Sequence, residues 1–227
     1  MQLKPIFAAA ALLCTVGAAS ALTTQDFGSH TLVYDESTDF GFYASSYTSG
    51  GGAAGFSWTV PNSAQVASFG PQEIVTVNLP SFTITANTGW ALSNPSAFLG
   101  NLIFTEVGGA TTQIILYADV SIDGGAAVSL VDNLGWTPTS SGAGYLNGYF
   151  STNYGPVLSG FSSLSVSNAH IDLSAVGGVF SSISAQPQNK FEVSLVAMPV
   201  PEPETYAMLL AGLGALGWLS RRRQNQG

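Results

Sequence analysis

Clusters of glycine and small polar residues, which form turns, recur at short intervals in the middle of the chain. Their spacing is the strongest constraint on the fold. Between the clusters lie runs rich in β-branched and aromatic residues, which favour strands. No segment between residues 22 and 198 keeps a 3.6-residue hydrophobic period. The pattern predicts an all-β fold, a single β-sandwich or jelly-roll-like domain. The clusters occupy residues 49–52, 87–89, 108–109, 123–125, 140–144 and 177–178.

Alternating segments indicate where the strands of this domain lie. Apolar and polar side chains alternate over residues 73–79 and 190–196, as in strands with one buried face. Glycine turns join residues 101–107 to 111–121, and residues 111–121 to 126–131. Each of these joins predicts a β-hairpin, which would place consecutive strands side by side in one sheet.

Charged residues are scarce, and this scarcity excludes several classes of protein. Only 8% of the residues are charged, against about 25% in an average soluble domain. The net charge of −8 opposes contact with a phosphate backbone, so a basic domain that binds nucleic acid is excluded. A hydrophobic content of 46% excludes disorder driven by charge.

The first 21 residues have the layout of a secretory signal peptide. Lys4 supplies a positive start, an apolar run covers residues 6–16, and residues 19–21 form an A-x-A cleavage site. We expect the Sec machinery to export the chain and cleavage to follow Ala21. The only cysteine, Cys14, lies inside this peptide, so the exported domain would have no disulfide.

Three short features follow one another at the C-terminus. Pro201, Glu202 and Pro203 form a stiff spacer, because proline fixes the backbone and cannot donate a hydrogen bond. Residues 206–219 are apolar, and a helix of this length spans about 21 Å, less than the roughly 30 Å of a bilayer core. The order predicts a short, temporary transmembrane stop. The last feature is a cluster of basic residues that favours the cytoplasmic side: Arg221, Arg222 and Arg223.

Residues 199–224 resemble the PEP-CTERM sorting signal of Gram-negative bacteria, because the Pro-Glu-Pro motif, the apolar segment and the arginines come in the family's order. The resemblance implies recognition by an exosortase, an integral-membrane transpeptidase. It also implies a transient inner-membrane anchor, then delivery to the cell surface or extracellular matrix, in association with exopolysaccharide and biofilm. Similar tails carry the label ice-binding protein C-terminal domain, but the lone T-x-T at residues 83–85 lacks the repeat of an ice-binding surface.

Acidic side chains are densest in one early segment of the domain. Asp35, Glu36 and Asp39 place three carboxylates close together, and hard oxygen ligands suit Ca²⁺. The spacing does not match an EF-hand, so a solvated acidic loop is the alternative. Structural calcium is the one cofactor that the sequence suggests. A zinc site is not expected, because His30 and His170 are far apart in a domain without cysteine.

A second candidate site is a segment rich in tyrosine and asparagine. Sugar-binding surfaces combine aromatic rings for stacking with polar groups that hydrogen-bond to hydroxyls. Burial of the rings in the core is the alternative, since large aromatic side chains are mostly buried. The residues expected to contact a glycan are Tyr145, Asn147, Tyr149, Asn153 and Tyr154.

No catalytic residues stand out in the sequence. The chain lacks a G-x-S-x-G elbow, and Asp119 and Asp123 would lie about 13 Å apart along one strand, too far for a glycosidase pair. We therefore expect a non-enzymatic surface or matrix protein with a structural or glycan-binding role. The alternative is a secreted polysaccharide-active enzyme, a glycosidase or lyase, whose carboxylates would converge only in the folded domain.

Overall fold

A computed structural model describes residues 22–36, 40–43, 53–134, 142–150, 159–187, 189–200 and 203–224; the predicted signal peptide, residues 1–21, lies outside them. Within the described residues the chain forms fifteen strands and one helix. In chain order these are β1 (Leu22–Asp26), β2 (His30–Asp35), β3 (Gly41–Tyr43), β4 (Ala53–Thr59), β5 (Gln65–Ser68), β6 (Glu73–Asn78), β7 (Phe82–Ala86), β8 (Trp90–Val107), β9 (Thr111–Ile122), β10 (Val128–Asn133), β11 (Gly142–Phe150), β12 (Ser159–Phe161), β13 (Ser163–Val176), β14 (Phe180–Ser184), β15 (Lys190–Pro199) and α1 (Pro203–Gln224).

The strands form two antiparallel sheets, which confirms the predicted all-β class. In the first sheet the order is β1-β2-β7-β13-β9-β10, and β6 also pairs with β13. In the second sheet the order is β3-β4-β15-β8-β14-β5, and β11 and β12 also pair with β8.

One long strand organises each sheet. β13 pairs with β9 along one edge, and with β7 and then β6 along the other. β8 also pairs with other strands along both of its edges. For example, Leu99 pairs with Phe191 of β15 on one edge and with Gly148 of β11 on the other. Short strands placed end to end along a long strand thus complete each sheet.

The predicted hairpin between residues 101–107 and 111–121 is wrong, whereas the hairpin of β9 and β10 is confirmed. β8 and β9 belong to different sheets, because β14 and β11 already occupy both edges of β8 near its end. Gly108 and Gly109 have φ angles of 70° and 81°, which glycine adopts at little cost. They carry the chain from the second sheet to the first.

β8 also begins earlier than predicted, at Trp90 rather than at residue 101. The register against β15 jumps here, from Val196 opposite Ser93 to Ser194 opposite Ser96. The skipped positions hold a left-handed asparagine (φ 48°) and a proline, which lacks a ladder donor. A bulge therefore absorbs both residues, and the strand continues through a sequence typical of a turn.

The two sheets enclose one apolar core, so the fold is a β-sandwich. Trp58 of β4 lies at its centre, with ring centroids 4.9 Å from Phe56 and 6.3 Å from Phe191 in its own sheet. Its ring also lies 5.3 Å from Phe82, which belongs to β7 of the first sheet. Trp58 therefore joins the two layers directly.

Candidate functional site

The first sheet carries polar and aromatic side chains on the face that points away from the core. Along β13, Ile171 and Leu173 are buried, so His170 and Asp172, which alternate with them, lie on the opposite side. The strand register places Tyr117 of β9 directly opposite His170. We call this surface the outer face, and its central residues are Tyr117, Asp119, Asn168, His170 and Asp172.

Two stacked rings form the centre of the outer face. The ring centroids of Tyr117 and His170 are 4.7 Å apart, and their planes are 11° from parallel. Both side chains are partly exposed. His170 Nδ1 lies 3.2 Å from the carbonyl oxygen of Asn168, which can only accept, so Nδ1 is the donor and Nε2 the acceptor in the neutral ring. In this stack each ring covers one face of the other, so the outer faces and edges of the pair are left for a further contact.

A β-bulge positions these rings. The register of β13 against β9 shifts just before His170, so that Asn168 and Ala169 together oppose Ala118. Asn168 has a φ of 52°, a left-handed conformation that asparagine tolerates better than most residues. Bulges often re-aim side chains near functional sites. Here the bulge brings the amide of Asn168 to the carboxylate of Asp119.

That carboxylate is fixed by two hydrogen bonds beside the rings. Asp119 accepts one from Ser129 Oγ (2.5 Å) and one from Asn168 Nδ2 (2.7 Å). These hydrogen bonds, the one from Ser129 first, lower the pKa of Asp119. The outer face therefore holds an ionised acceptor in a defined position.

Paired polar side chains extend the outer face on both sides of the two rings. Thr76 Oγ1 donates to Asp172 (2.6 Å), and Gln113 Nε2 donates to Asn133 (2.8 Å). These groups come from β6, β9, β10 and β13, so only strand pairing brings them together. Sequence patterns alone do not reveal this surface for that reason.

The C-terminal segment forms the helix α1. It begins at Pro203 and includes the arginine cluster near its end, whereas Pro201 and Glu202 lie outside the described residues. The side chains of residues 206–216 are exposed, so the sandwich does not bury them. Within the described residues, no helix combines enough length and hydropathy to cross a bilayer.

A comparison with protein families decides the nature of this segment. Residues 199–224 match the family model described as the PEP-CTERM protein-sorting motif. The C-terminal segment is a PEP-CTERM sorting motif. The motif marks an exported protein that an exosortase processes, and it implies delivery to the cell surface in Gram-negative bacteria.

Comparisons beyond the PEP-CTERM motif assign no function to the domain. No curated protein matches the chain. Among solved structures, the VP2 subviral particle of infectious bursal disease virus is 13% identical over 77% of this chain and 52% of that chain, with a TM-score of 0.24. The Gx strain of the same virus gives 12% identity, 78% and 51% coverage, and a TM-score of 0.14. The chain spans about half the length of each.

The segment expected to contact a glycan is only partly described. Tyr145 lies on β11 of the second sheet, and its side chain is exposed. Asn147 and Tyr149 belong to the same strand, but their side chains lie outside the described residues, as do Asn153 and Tyr154 entirely. A glycan contact in this segment stays a prediction, and it lies on a different sheet from the outer face.

The predicted calcium ligands are also only partly described. Glu36 accepts hydrogen bonds from Thr23 Oγ1 (2.7 Å) and from the hydroxyl of Tyr34 (3.3 Å), while Asp35 ends β2. Asp39 lies outside the described residues. In the part of the chain that the structure describes, no three metal-ligating side chains come together. The calcium site stays a prediction.

A cleft of about 70 Å³ opens between the two sheets. Side chains of both sheets line it, among them Trp58, Leu79, Leu116, Ala118 and Phe191. Its lining in the described residues includes no Asp, Glu or His, so these residues supply no general acid and base.

His30 is a titratable side chain buried in the first sheet. Its Nδ1 lies 3.0 Å from Ser29 Oγ, and within the described residues its Nε2 has no hydrogen-bond partner. Burial lowers the pKa of His30 below its ordinary value of 6.5, and the carboxylate of Asp26 offsets only part of this. The folded protein therefore favours the neutral imidazole.

We expect the free energy of unfolding to decrease as the pH falls below about 6.5. The unfolded chain then takes up a proton at His30 that the folded protein does not, which costs about 1.4 kcal/mol per pH unit until the folded pKa is reached. Urea unfolding between about pH 7.5 and pH 5 measures this slope. His30→Leu should reduce the slope of the unfolding free energy against pH, whereas the outer-face variant His170→Gln should leave that slope unchanged. An unchanged slope in His30→Leu would show that another group is responsible.

Proposed function

We propose that the exported domain is a non-enzymatic glycan-binding module, which binds a neutral chain of the exopolysaccharide through its outer face. The Sec machinery exports the chain, α1 holds it briefly at the inner membrane, and an exosortase then processes it. The protein acts at the cell surface or in the biofilm matrix. The PEP-CTERM motif supports the sorting route, and the outer face supports the binding role.

The binding role depends on one observation, the stack of Tyr117 on His170 with Asp119 beside it. A sugar ring can stack on the outer face of one of these rings while its hydroxyls hydrogen-bond to carboxylates and amides. The β13 bulge and the two hydrogen bonds to Asp119 fix these groups on strands rather than on a loop. Such prior order lowers the entropy lost on binding.

The charge of the domain favours a neutral glycan over an acidic one. Residues 22–198 contain one lysine and eleven Asp and Glu, a net charge of −10. Asp119 and Asp172 lie on the outer face itself. An acidic polysaccharide would be repelled unless divalent cations bridged it, whereas neutral hydroxyls make strong hydrogen bonds to carboxylates.

The short apolar segment of α1 suits a temporary hold at the membrane. Residues 206–219 span about 21 Å as a helix, against a hydrocarbon core of roughly 30 Å. The arginines behind this segment favour the cytoplasmic side. A weak anchor of this kind keeps the Pro-Glu-Pro motif near a membrane enzyme until processing releases the domain.

The rival proposal is a polysaccharide-active enzyme, which needs two carboxylates within about 5 to 9.5 Å of each other. Asp172 lies opposite Ile115, four positions along β9 from Asp119, which separates the Cα atoms of the two aspartates by about 13 Å or more. The described lining of the inter-sheet cleft adds no carboxylate. Both observations support a binding role.

We expect Tyr117→Ala to weaken binding to exopolysaccharide purified from the producing strain by about tenfold. Removing one stacking ring costs roughly 1.4 kcal/mol of binding free energy, which corresponds to this change in the dissociation constant. Tyr117→Phe keeps the ring and should bind nearly as the wild type does. Binding to immobilised polysaccharide measures the dissociation constant, and thermal melting shows that each variant is folded.

Tyr145→Ala is the matched control, since it removes an exposed tyrosine from the second sheet. It should leave binding unchanged. If Tyr145→Ala weakens binding and Tyr117→Ala does not, the binding surface is the segment of residues 145–154. New reducing ends released from the polysaccharide by the wild-type protein would instead support the enzyme.

A further inference from the structure

The folded domain continues almost to the sorting helix. β15 pairs with β8 as far as Pro199, which lies opposite Trp90, and the backbone N–H of Val200 donates to the carbonyl oxygen of Gly89 (2.8 Å). α1 begins at Pro203. Only two residues therefore separate the last hydrogen-bonded residue of the sandwich from the helix.

Large apolar side chains are exposed around this exit point. Trp90 is 37% exposed, Met198 45% and Val200 47%, and we call these three residues the basal patch. Earlier positions of the same strand, such as Phe191 and Leu195, are buried. Within β15, large exposed apolar side chains thus lie at the end of the strand from which α1 leaves.

The turns beside the basal patch are held by hydrogen bonds. Asp26 accepts from the backbone N–H of Gly28 and from Asn87 Nδ2, both at 2.8 Å, and Thr31 Oγ1 donates to Asn87 Oδ1 at 2.8 Å. The bond from Gly28, and then that from Asn87, lower the pKa of Asp26. The basal patch therefore lies on a fixed backbone.

Chain length places the basal patch close to the bilayer whenever α1 is in the membrane. Three Cα steps from Val200 to Pro203 span at most about 11 Å. The helix then rises about 4.5 Å to Tyr206, where the apolar segment begins. The sum of about 15 Å is the largest possible separation, and the headgroup layer fills roughly 5–8 Å of it, so the basal patch lies at most about 10 Å outside that layer. The short helix draws the domain closer still, because a segment shorter than the core pulls its flanks inward.

We propose that the basal patch is a membrane-contact surface, which lies in the lipid headgroup layer of the inner membrane while the protein is anchored. This rests on the proposed anchoring by α1. Tryptophan suits this layer because its ring is amphipathic. Met198 and Val200 add apolar contact with the membrane, which supplements the short apolar segment of α1. The basal patch and α1 therefore act together to hold the precursor at the membrane.

Single-cysteine variants of the full-length precursor in phosphatidylcholine vesicles, made in a Cys14→Ser background, test this contact. An environment-sensitive dye on Met198→Cys should show blue-shifted emission and quenching by headgroup nitroxide lipids. The same dye on Val179→Cys should show neither. Val179 is 67% exposed and apolar, but it lies beside Val107, roughly 55 Å along β8 from the basal patch.

A third dye, on Leu213→Cys in α1, separates this contact from the anchoring itself. Quenching at position 213 without quenching at position 198 overturns the contact surface. No quenching at position 213 overturns the anchoring, and the contact with it. Shielding of position 198 that requires added exosortase assigns the basal patch to the enzyme and overturns the lipid contact. Circular dichroism checks that each labelled variant is folded.

Discussion

Replacing Trp58 with alanine should be the most destabilising single change in the sandwich. The side chain is fully buried, and its ring contacts Phe56, Phe82 and Phe191 across both sheets. Truncating a buried tryptophan costs about 3–5 kcal/mol. A typical domain has only about 5–15 kcal/mol of stability, so Trp58→Ala should unfold at a much lower urea concentration or fail to accumulate.

The matched control for this change is Trp90→Ala, which removes the same side chain from a partly exposed position. It should cost less than about 1 kcal/mol, as surface substitutions usually do. Urea unfolding followed by circular dichroism measures both variants. A loss of less than about 1 kcal/mol in Trp58→Ala would show that this ring does not join the two sheets.

The fold class could be predicted because strand periodicity is local. The alternation over residues 190–196 places Phe191, Val193 and Leu195 on one face, and these three side chains are buried in β15. The face on which a side chain lies follows from its position in the strand and does not depend on which strands pair with it. The class and several strands therefore followed from the sequence alone.

Strand pairing could not be predicted in the same way, because it depends on residues far apart in the chain. The glycine turn after Val107 has the composition of a hairpin, yet β8 has no free edge there, and the chain crosses to the other sheet. The outer face was missed for a related reason. Tyr117 and His170 stack only because β9 and β13 pair with a bulge between them.

The sorting motif was predictable because all of its features lie next to one another in the sequence. The prolines, the apolar segment and the arginines act in chain order, so no tertiary contact is needed to recognise residues 199–224. The predicted glycan contact at residues 145–154 rests on composition alone. Composition does not determine whether a ring faces solvent: in the described part of this segment the ring of Tyr145 is exposed, whereas that of Phe150 is buried.

Neutralising the arginine cluster should leave most of the protein as unprocessed precursor. Moving one arginine to the centre of a bilayer costs about 2.5–3.5 kcal/mol, so in the proposed topology three consecutive arginines hold the end of α1 in the cytoplasm. Without them the short apolar segment has little to stop its transfer, and the Pro-Glu-Pro motif is no longer presented at the membrane. The change is the joint replacement of Arg221, Arg222 and Arg223 by glutamine in the native host.

Two further variants separate topology from recognition in this experiment. Replacing the three arginines by lysine keeps the charge and should restore processing, since the positive-inside rule reads charge. Glu202→Ala should keep the topology but still accumulate precursor, because it alters the motif that the exosortase recognises. Immunoblots of cells and medium measure processing, and protease protection of the C-terminus reports topology. Mature protein at the wild-type level from the glutamine variant would rule out the arginines as the topological signal. Failure of the lysine variant would show that the guanidinium group itself is required.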